Sequence, residues 1–133
     1  MNAHGIDHIN VGFPRDRLDE VIEFYVDTLG FEAPFEDPYA AVADDPGLFG
    51  LELGDGDRLF VNPTDELDSP GVDFRHVAVK FRESPATVKA RLDDEGIEIN
   101  STAERSRETI GDYTSYYVSD PFGYTVECMA IGE

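Results

Sequence analysis

Two short stretches of the chain share one pattern of polar and apolar positions. Residues 7–13 read Asp-His-Ile-Asn-Val-Gly-Phe, and residues 75–81 read Arg-His-Val-Ala-Val-Lys-Phe. In each stretch a histidine, His8 or His76, is followed by apolar residues at every second position, which is the period of a β-strand with one buried face. This recurrence predicts that the chain contains two copies of one supersecondary unit.

Each strand is followed by a segment with the spacing of an amphipathic helix. In the first half the apolar positions are Leu18, Val21, Ile22, Tyr25, Val26 and Leu29. In the second half Ser84 is suited to be the N-cap and Pro85 the first helical residue. Gly30 and Gly96 stand where the two helices should end. They follow His8 and His76 by 22 and 20 residues, so the halves keep register to within two residues.

Strand patterns follow both helices. Short strands are predicted at 31–35 and 97–101, and a hairpin is predicted after each of them. The first hairpin joins 48–53 to 58–62 through Gly-Asp-Gly, and the second joins 113–119 to 124–130 through Asp-Pro-Phe-Gly. Both connections contain residues that favour tight turns.

The element order predicts an α+β fold of two βαβββ modules in tandem, forming a curved mixed sheet around a cavity. Module one is expected at about 5–63 and module two at about 73–131, within a single domain of 1–133. Residues of about 64–72 include proline and several acids, which is typical of a linker.

The repeat also predicts a metal site. When the two hairpins are aligned on their last turn glycine, Phe60 in the first half corresponds to Glu127 in the second. If the first and last strands of the modules lie close together, His8, His76 and Glu127 converge. Two imidazoles and a carboxylate are a competent set for a divalent ion, and three protein ligands leave positions open for substrate. Glu127 is therefore the predicted catalytic residue as well as a ligand.

Side-chain alternation along strands extends the predicted site. Asn10 shares a face with His8, Arg58 shares one with Phe60, and Thr125 shares one with Glu127. The predicted substrate-binding residues are Asn10, Arg58, Phe60, Asn62, Tyr116 and Thr125. Cys128 should point away from the face of Glu127 and act as an apolar core residue.

Composition narrows the possible partners. The 133 residues include 29 Asp and Glu but only 10 Lys and Arg, which gives a formal net charge of −19. Such a field repels nucleic acid and anionic membranes, so neither is an expected partner. The composition is similar to that of proteins from salt-accumulating halophiles. The single cysteine and the absence of a signal-peptide pattern at the N-terminus favour the cytoplasm.

The chain resembles the vicinal oxygen chelate superfamily of glyoxalases, bleomycin-resistance proteins and extradiol dioxygenases. The resemblance rests on the two histidine strands, on Phe-Tyr-Val-Asp-Thr-Leu-Gly-Phe at 24–31, and on Asp-Pro-Phe-Gly-Tyr-Thr-Val-Glu at 120–127. It implies paired βαβββ modules and a divalent metal held by His8, His76 and Glu127, with Fe, Mn, Zn, Ni or Co all acceptable to this set. It also implies a homodimer and a small-molecule substrate that chelates the metal through oxygen.

One departure from the resembling enzymes leaves several functions open. Glyoxalase-type isomerases usually have a fourth ligand where this chain has Phe60. A lyase, an isomerase and a small oxygenase all remain compatible with the residues, and Tyr113, Tyr116, Tyr117 and Tyr124 are candidates to support an oxygenase site. The segment 104–112 offers Arg105 and Arg107 but no lysine, which disfavours phosphonate chemistry of the fosfomycin-resistance type. The alternatives to an enzyme are a metal-free binding protein of the bleomycin-resistance type and an interaction domain that keeps the fold without chemistry.

Overall fold

The architecture was obtained as a computed structural model, which describes residues 1–2, 7–44, 47–65 and 76–132. The chain forms two compact units, Met1–Asp68 and Ser69–Glu133. Most of the predicted linker lies outside the described residues. No helix among the described residues has the length and apolar character needed to cross a bilayer.

The first unit contains a three-stranded mixed sheet. Strand β1 (His8–Pro14) pairs in parallel with β3 (Arg58–Thr64), and β2 (Phe49–Glu52) pairs with β3 in antiparallel, so the order is β1-β3-β2. A 3-10 turn (Gly54–Gly56) joins β2 to β3. The described apolar residues Phe13, Leu59 and Val61 are buried on one face of this sheet.

The predicted first helix forms as α1 (Leu18–Val21), which continues as a π-helix (Ile22–Thr28). The wider turn is visible in the bond from the Leu29 N–H to the Phe24 carbonyl, five residues back. Leu18, Val21 and Tyr25 are buried, as the helical spacing predicted. Tyr25 meets the ring of Phe13 edge-on at 5.6 Å, which fixes the helix against β1.

The predicted strand at 31–35 is wrong. Only Glu32 pairs, as an isolated bridge with Glu52. The N–H of Phe31 bonds to the Tyr25 carbonyl and so completes the helix end instead of a strand ladder. A short helix, α2 (Pro38–Ala43), follows where no element was predicted, and the Asp37 side chain caps it by accepting from the Tyr39 N–H at 3.0 Å.

The second unit contains a four-stranded mixed sheet in the order β4-β7-β6-β5. Its elements are β4 (His76–Phe81), α3 (Pro85–Asp94), β5 (Ile99–Arg107), β6 (Gly111–Ser119) and β7 (Thr125–Ala130). Ser84 caps α3 by accepting from the Thr87 N–H at 3.2 Å, and Gly96 follows the helix with φ of 71°, as predicted. The α+β class is confirmed, with helices and mixed sheets in both units.

Strand β5 extends six residues beyond the predicted strand at 97–101. It forms an antiparallel hairpin with β6, in which Arg105 pairs with Tyr113 and Arg107 with Gly111. On one face of this sheet, Val79, Val118, Val126 and Cys128 are buried, and α3 contributes buried Val88 and Leu92. The opposite face of the same sheet carries the candidate site.

Candidate metal and substrate site

The second unit brings His76 and Glu127 into direct contact. Nε2 of His76 lies 2.9 Å from Oε1 of Glu127. The other carboxylate oxygen, Oε2, accepts a hydrogen bond of 2.7 Å from the hydroxyl of Ser115, which is fully buried. The Glu127 side chain is 9% exposed and that of His76 is 33% exposed, so the pair is anchored in the sheet and open to solvent on the His76 side.

The spacing of this pair fits two neighbouring ligands of one divalent ion. Metal–nitrogen and metal–oxygen bonds of about 2.1 Å at right angles place the two donor atoms about 3 Å apart. Metal-ligating carboxylates are normally held by a further hydrogen bond, and Ser115 provides one to Glu127. On the chemistry of its donors, the pair fits a borderline metal such as Zn, Fe or Mn.

His8 in the first unit has its own set of supporting contacts. Its Nδ1 lies 2.8 Å from Oδ2 of Asp7, an oxygen that also accepts from Arg58 at 3.4 Å. The hydrogen bond to His8, followed by the charge of Arg58, lowers the pKa of the Asp7 carboxyl. Metal-ligating histidines characteristically bond one ring nitrogen to a carboxylate, which directs the other nitrogen to the ion. If His8 binds a metal as predicted, the contact with Asp7 leaves Nε2 as the ligating nitrogen.

Phe60 packs directly against His8. The two rings stack with centroids 4.2 Å apart, and the Arg58 guanidinium lies 5.3 Å from the Phe60 centroid. Phe60 in turn pairs across the sheet with Gly50, where a Cβ atom would lie 2.8 Å from the Phe60 ring. Phe60 thus orients the imidazole of His8 by stacking.

The remaining predicted residues of the first unit share the face of His8. In the parallel register His8 lies opposite Arg58, Asn10 opposite Phe60, and Gly12 opposite Asn62. Residues directly opposite one another project from the same face, so Asn10 and Asn62 stand beside His8 and both are exposed. Arg58 is already paired with Asp7, which reduces its capacity to bind an anionic substrate.

In the second unit Thr125 shares the site face, whereas Tyr116 does not. Thr125 is paired with His76 across the parallel β4–β7 ladder. Tyr116 is paired with Cys128, is buried, and donates its hydroxyl to the Pro85 carbonyl at 3.1 Å. The prediction that Tyr116 contributes to the site therefore needs correction, because the strand places it on the helix side.

Tyr117 takes the place assigned to Tyr116. It is paired with Glu127 across the antiparallel ladder, and its ring meets that of His76 edge-on at 5.8 Å. Its phenol oxygen accepts a hydrogen bond of 3.3 Å from Arg105. Tyr117 therefore connects the His76–Glu127 pair to the arginine side chains of β5.

The sequence patterns did not identify Ser115, and they presented Arg105 and Arg107 only as the basic residues of a disfavoured phosphonate-binding segment. A cavity of about 500 Å³ on the site face is lined by Arg105, Ser106, Arg107, Tyr113, Tyr117 and Glu127. The two arginines reach it because β5 continues to Arg107 as a strand. The signal that could have found them is their two-residue spacing, which matches that of Tyr113, Ser115 and Tyr117 on the neighbouring strand.

Neither unit, within its described residues, contains a group of three or more His, Cys, Asp or Glu side chains arranged to hold a metal ion. The described residues of the second unit supply the His76–Glu127 pair, and those of the first unit supply His8 with its carboxylate partner. The set of three ligands, His8, His76 and Glu127, stays a prediction.

Cys128 is a buried core residue on the opposite face from Glu127, as predicted. It pairs with Val79 on one side and with Tyr116 on the other. Burial, followed by the charge of the neighbouring Glu127, raises the pKa of the thiol to about 12. Because the thiolate is the reactive form, the side chain is chemically inert at neutral pH.

We expect Cys128 to resist labelling in the folded protein. A pKa raised by about three units lowers the thiolate fraction at pH 8 by nearly a thousandfold, so reaction with an aromatic disulfide reagent should slow by at least that factor relative to the urea-unfolded chain. The absorbance of the released thiolate measures the rate, and this one cysteine is the only source of signal. Comparable rates in folded and unfolded protein would contradict the burial of this residue.

Together, the fold and the site residues define a small α+β protein with a metal-competent His–Glu pair on an open sheet face. Comparison of the sequence with known protein families identifies the superfamily of this chain. The sequence model of the Glyoxalase/Bleomycin resistance protein/Dioxygenase superfamily matches residues 5–128, and the chain belongs to this superfamily. No curated protein sequence matches the chain at a significant level.

Solved structures agree over nearly the whole chain. A protein assigned to the glyoxalase family from Bacillus anthracis is 25% identical, with a TM-score of 0.70 over 98% of this chain and 97% of that chain. An integron cassette protein from V. cholerae has a TM-score of 0.72 at 18% identity, again over 98% and 97% of the chains. A glyoxalase/dioxygenase from Nostoc punctiforme has a TM-score of 0.69 at 17% identity over 97% and 92%.

Proposed function

We propose that this chain is a divalent-metal-dependent enzyme acting on a small molecule that binds the metal through oxygen. His8, His76 and Glu127 are the proposed ligands, and the reaction is a lyase, isomerase or oxygenase reaction of the superfamily. The observation that carries the proposal is the 2.9 Å spacing of His76 Nε2 and Glu127 Oε1, with Ser115 holding the second oxygen of Glu127. The carboxylate contact of His8 supports its place in the set.

A bound divalent ion would supply Lewis-acid stabilisation of negative charge that develops on the substrate oxygens. The protein residues have separate tasks around it. Ser115 fixes the carboxylate of Glu127, and Asp7 fixes the tautomer of His8. Phe60 excludes water from one face of the His8 ring by stacking on it. We assign Tyr117 to hydrogen-bonding the substrate, because it lies against both His76 and Arg105.

Metal content tests the proposal directly. Protein purified in high salt, without a histidine tag or chelator, should carry about one divalent ion per chain by elemental analysis, as expected for an open three-ligand site. After chelation, reconstitution with Fe, Mn, Zn, Ni or Co should restore activity. The assays are oxygen uptake with catechols and the isomerisation of 2-oxoaldehyde–thiol adducts. Failure to take up any of the five ions would refute the proposal.

A second candidate, a metal-free binding protein of the bleomycin-resistance type, is favoured by the Phe60 contact. An aromatic ring stacked on His8 stands where the resembling isomerases have a ligand, which suits a wall for an aromatic or apolar ligand. This function predicts ligand binding that chelators leave unchanged. Loss of the ligand together with the metal would exclude it.

We further propose that the chain acts as a homodimer, with each site formed by residues of one chain or of two. Sedimentation equilibrium in high salt measures the assembly. Mixing a His8→Ala chain with a Glu127→Ala chain then tests the composition of the site. Recovery of metal binding in the mixture is expected only where one site draws on both chains.

A further inference from the structure

The cavity beside Glu127 is lined by two arginines, Arg105 and Arg107, although the chain as a whole is strongly acidic. The chain carries 29 acidic and 10 basic side chains, so a guanidinium without a carboxylate partner stands out. Four other arginines, Arg15, Arg17, Arg58 and Arg91, each form an ion pair with an Asp or Glu. Within the part of the chain that the structure describes, Arg82, Arg105 and Arg107 have no carboxylate oxygen within 4.0 Å, and of these three Arg105 and Arg107 line the cavity beside Glu127.

Both arginines are nevertheless held in place. Arg105 donates to the phenol oxygen of Tyr117 at 3.3 Å, and the Arg107 guanidinium lies 5.8 Å from the centroid of the buried Tyr113 ring. A phenol and an aromatic face orient a guanidinium without cancelling its formal charge. Because Tyr117 accepts from Arg105, its own O–H can donate to a ligand.

The strands place these groups on one face with the proposed metal ligand. Arg105 pairs with Tyr113 across β5–β6, and Tyr117 pairs with Glu127 across β6–β7. Arg105, Arg107, Tyr117 and Glu127 all line the same cavity of about 500 Å³, which is large enough for a small organic molecule. The two guanidinium groups and the carboxylate of Glu127 can therefore contact the same bound ligand.

We propose that Arg105 and Arg107 form an oxyanion-binding subsite, so that the substrate is an anion with oxygen donors for the metal at one end and a carboxylate-like group at the other. This inference rests on the proposed metal-dependent function and adds the substrate class to it. A guanidinium recognises an oxyanion through paired, charge-assisted hydrogen bonds, and the Tyr117 hydroxyl supplies a further donor. The strongly acidic remainder of the chain repels anions. The selectivity for an anionic substrate would therefore come from the local pair of Arg105 and Arg107.

A matched pair of probes isolates the charge. We would titrate Zn-loaded protein with 3,4-dihydroxybenzoate and with 3,4-dihydroxybenzamide by calorimetry, because both carry the same adjacent hydroxyls and differ in one negative charge. Wild type should bind the benzoate at least about tenfold more tightly, as expected for a charge-assisted contact. Equal affinities for the two probes would overturn the subsite.

Variants assign that preference to the two arginines. Arg105→Gln combined with Arg107→Gln should weaken binding of the benzoate at least about tenfold more than binding of the benzamide, which removes the preference, while the zinc stoichiometry stays at one ion per chain. The control is Arg82→Gln combined with Arg91→Gln. Like the first variant, it changes the net charge from −19 to −21, but it should keep the preference for the benzoate. A preference that persists in the first variant, or disappears in the control, would overturn the assignment.

An NMR titration of the metal-free wild-type protein tests the oxyanion subsite separately from the metal proposal. Titration with benzoate to millimolar concentrations should shift the Nε–H resonances of Arg105 and Arg107 and leave those of Arg82 and Arg91 in place. The single-site variants serve only to assign the signals. A protein that takes up none of Fe, Mn, Zn, Ni and Co would refute the metal proposal alone, whereas unshifted Arg105 and Arg107 resonances would refute the oxyanion subsite alone.

Discussion

Substitution of Glu127 by glutamine should lower the affinity for divalent metal by roughly a thousandfold or more and abolish metal-dependent activity. Glutamine keeps the shape of the side chain and can still accept from Ser115, but it removes the negative charge that the ion requires. Loss of a supporting partner alone typically costs tenfold to a hundredfold, and loss of a ligand charge should exceed that. Metal-competition titration with a chromogenic chelator measures the change.

Two further variants provide comparisons for the metal affinity of Glu127→Gln. Ser115→Ala should lower the affinity by about tenfold to a hundredfold, because the Glu127 carboxylate loses its fixed orientation. Glu98→Gln removes the same charge from an exposed position outside the cavity and should leave metal binding unchanged. Equal metal affinity for the Glu127 and Glu98 variants would show that Glu127 is no ligand.

Salt should stabilise this protein by a large margin. At 0.1 M salt the Debye length is about 10 Å, and at 1 M it is about 3 Å, so the repulsion within a chain of net charge −19 is largely screened at the higher concentration. We expect the melting temperature to rise by roughly 10 °C or more over this interval, since each kcal/mol of stability corresponds to about 4 °C for a chain of this size. Calorimetric scans in KCl measure the shift.

A partly neutralised variant separates charge screening from general salt effects on burial. Replacing four exposed acids, Glu32, Glu36, Glu98 and Glu108, by glutamine changes the net charge from −19 to −15. The variant should melt at a higher temperature than wild type in 0.1 M KCl and gain less from added salt. An equal gain in both proteins would attribute the stabilisation to exclusion of salt from the surface rather than to charge.

The elements with strong local signals could be predicted from the sequence. Strands β1 and β4 have alternating apolar residues, and α3 has a serine cap, a proline at its first position and a glycine after its end. Helix α2 had comparable signals in Asp37 and Pro38, but it lies within module one between the predicted strand at 31–35 and the first hairpin, where the repeat pattern predicted no element. The π-helical turns at 22–28 have no sequence signature, since the same apolar stripe fits an ordinary helix.

The errors arose where backbone pairing rather than side-chain pattern determines the structure. The outer half of β5 contains almost only polar residues, so no apolar alternation marks it, and its hydrogen bonds to β6 define it as a strand. Tyr116 and Tyr117 are adjacent and chemically alike, so only the register with β7 decides which of them stands beside Glu127. His8, His76 and Glu127 could be proposed as ligands from the sequence, because aligning the two repeats identifies equivalent positions in them.

The contact between Phe60 and Gly50 has a consequence for how related sequences can change. A side chain at position 50 would need the space that the Phe60 ring occupies, since even a Cβ atom would approach it to 2.8 Å. The present conformation of Phe60 therefore requires glycine at position 50. We expect these two sites to covary among homologues, with glycine accompanying the aromatic residue and larger residues appearing only where position 60 is not aromatic.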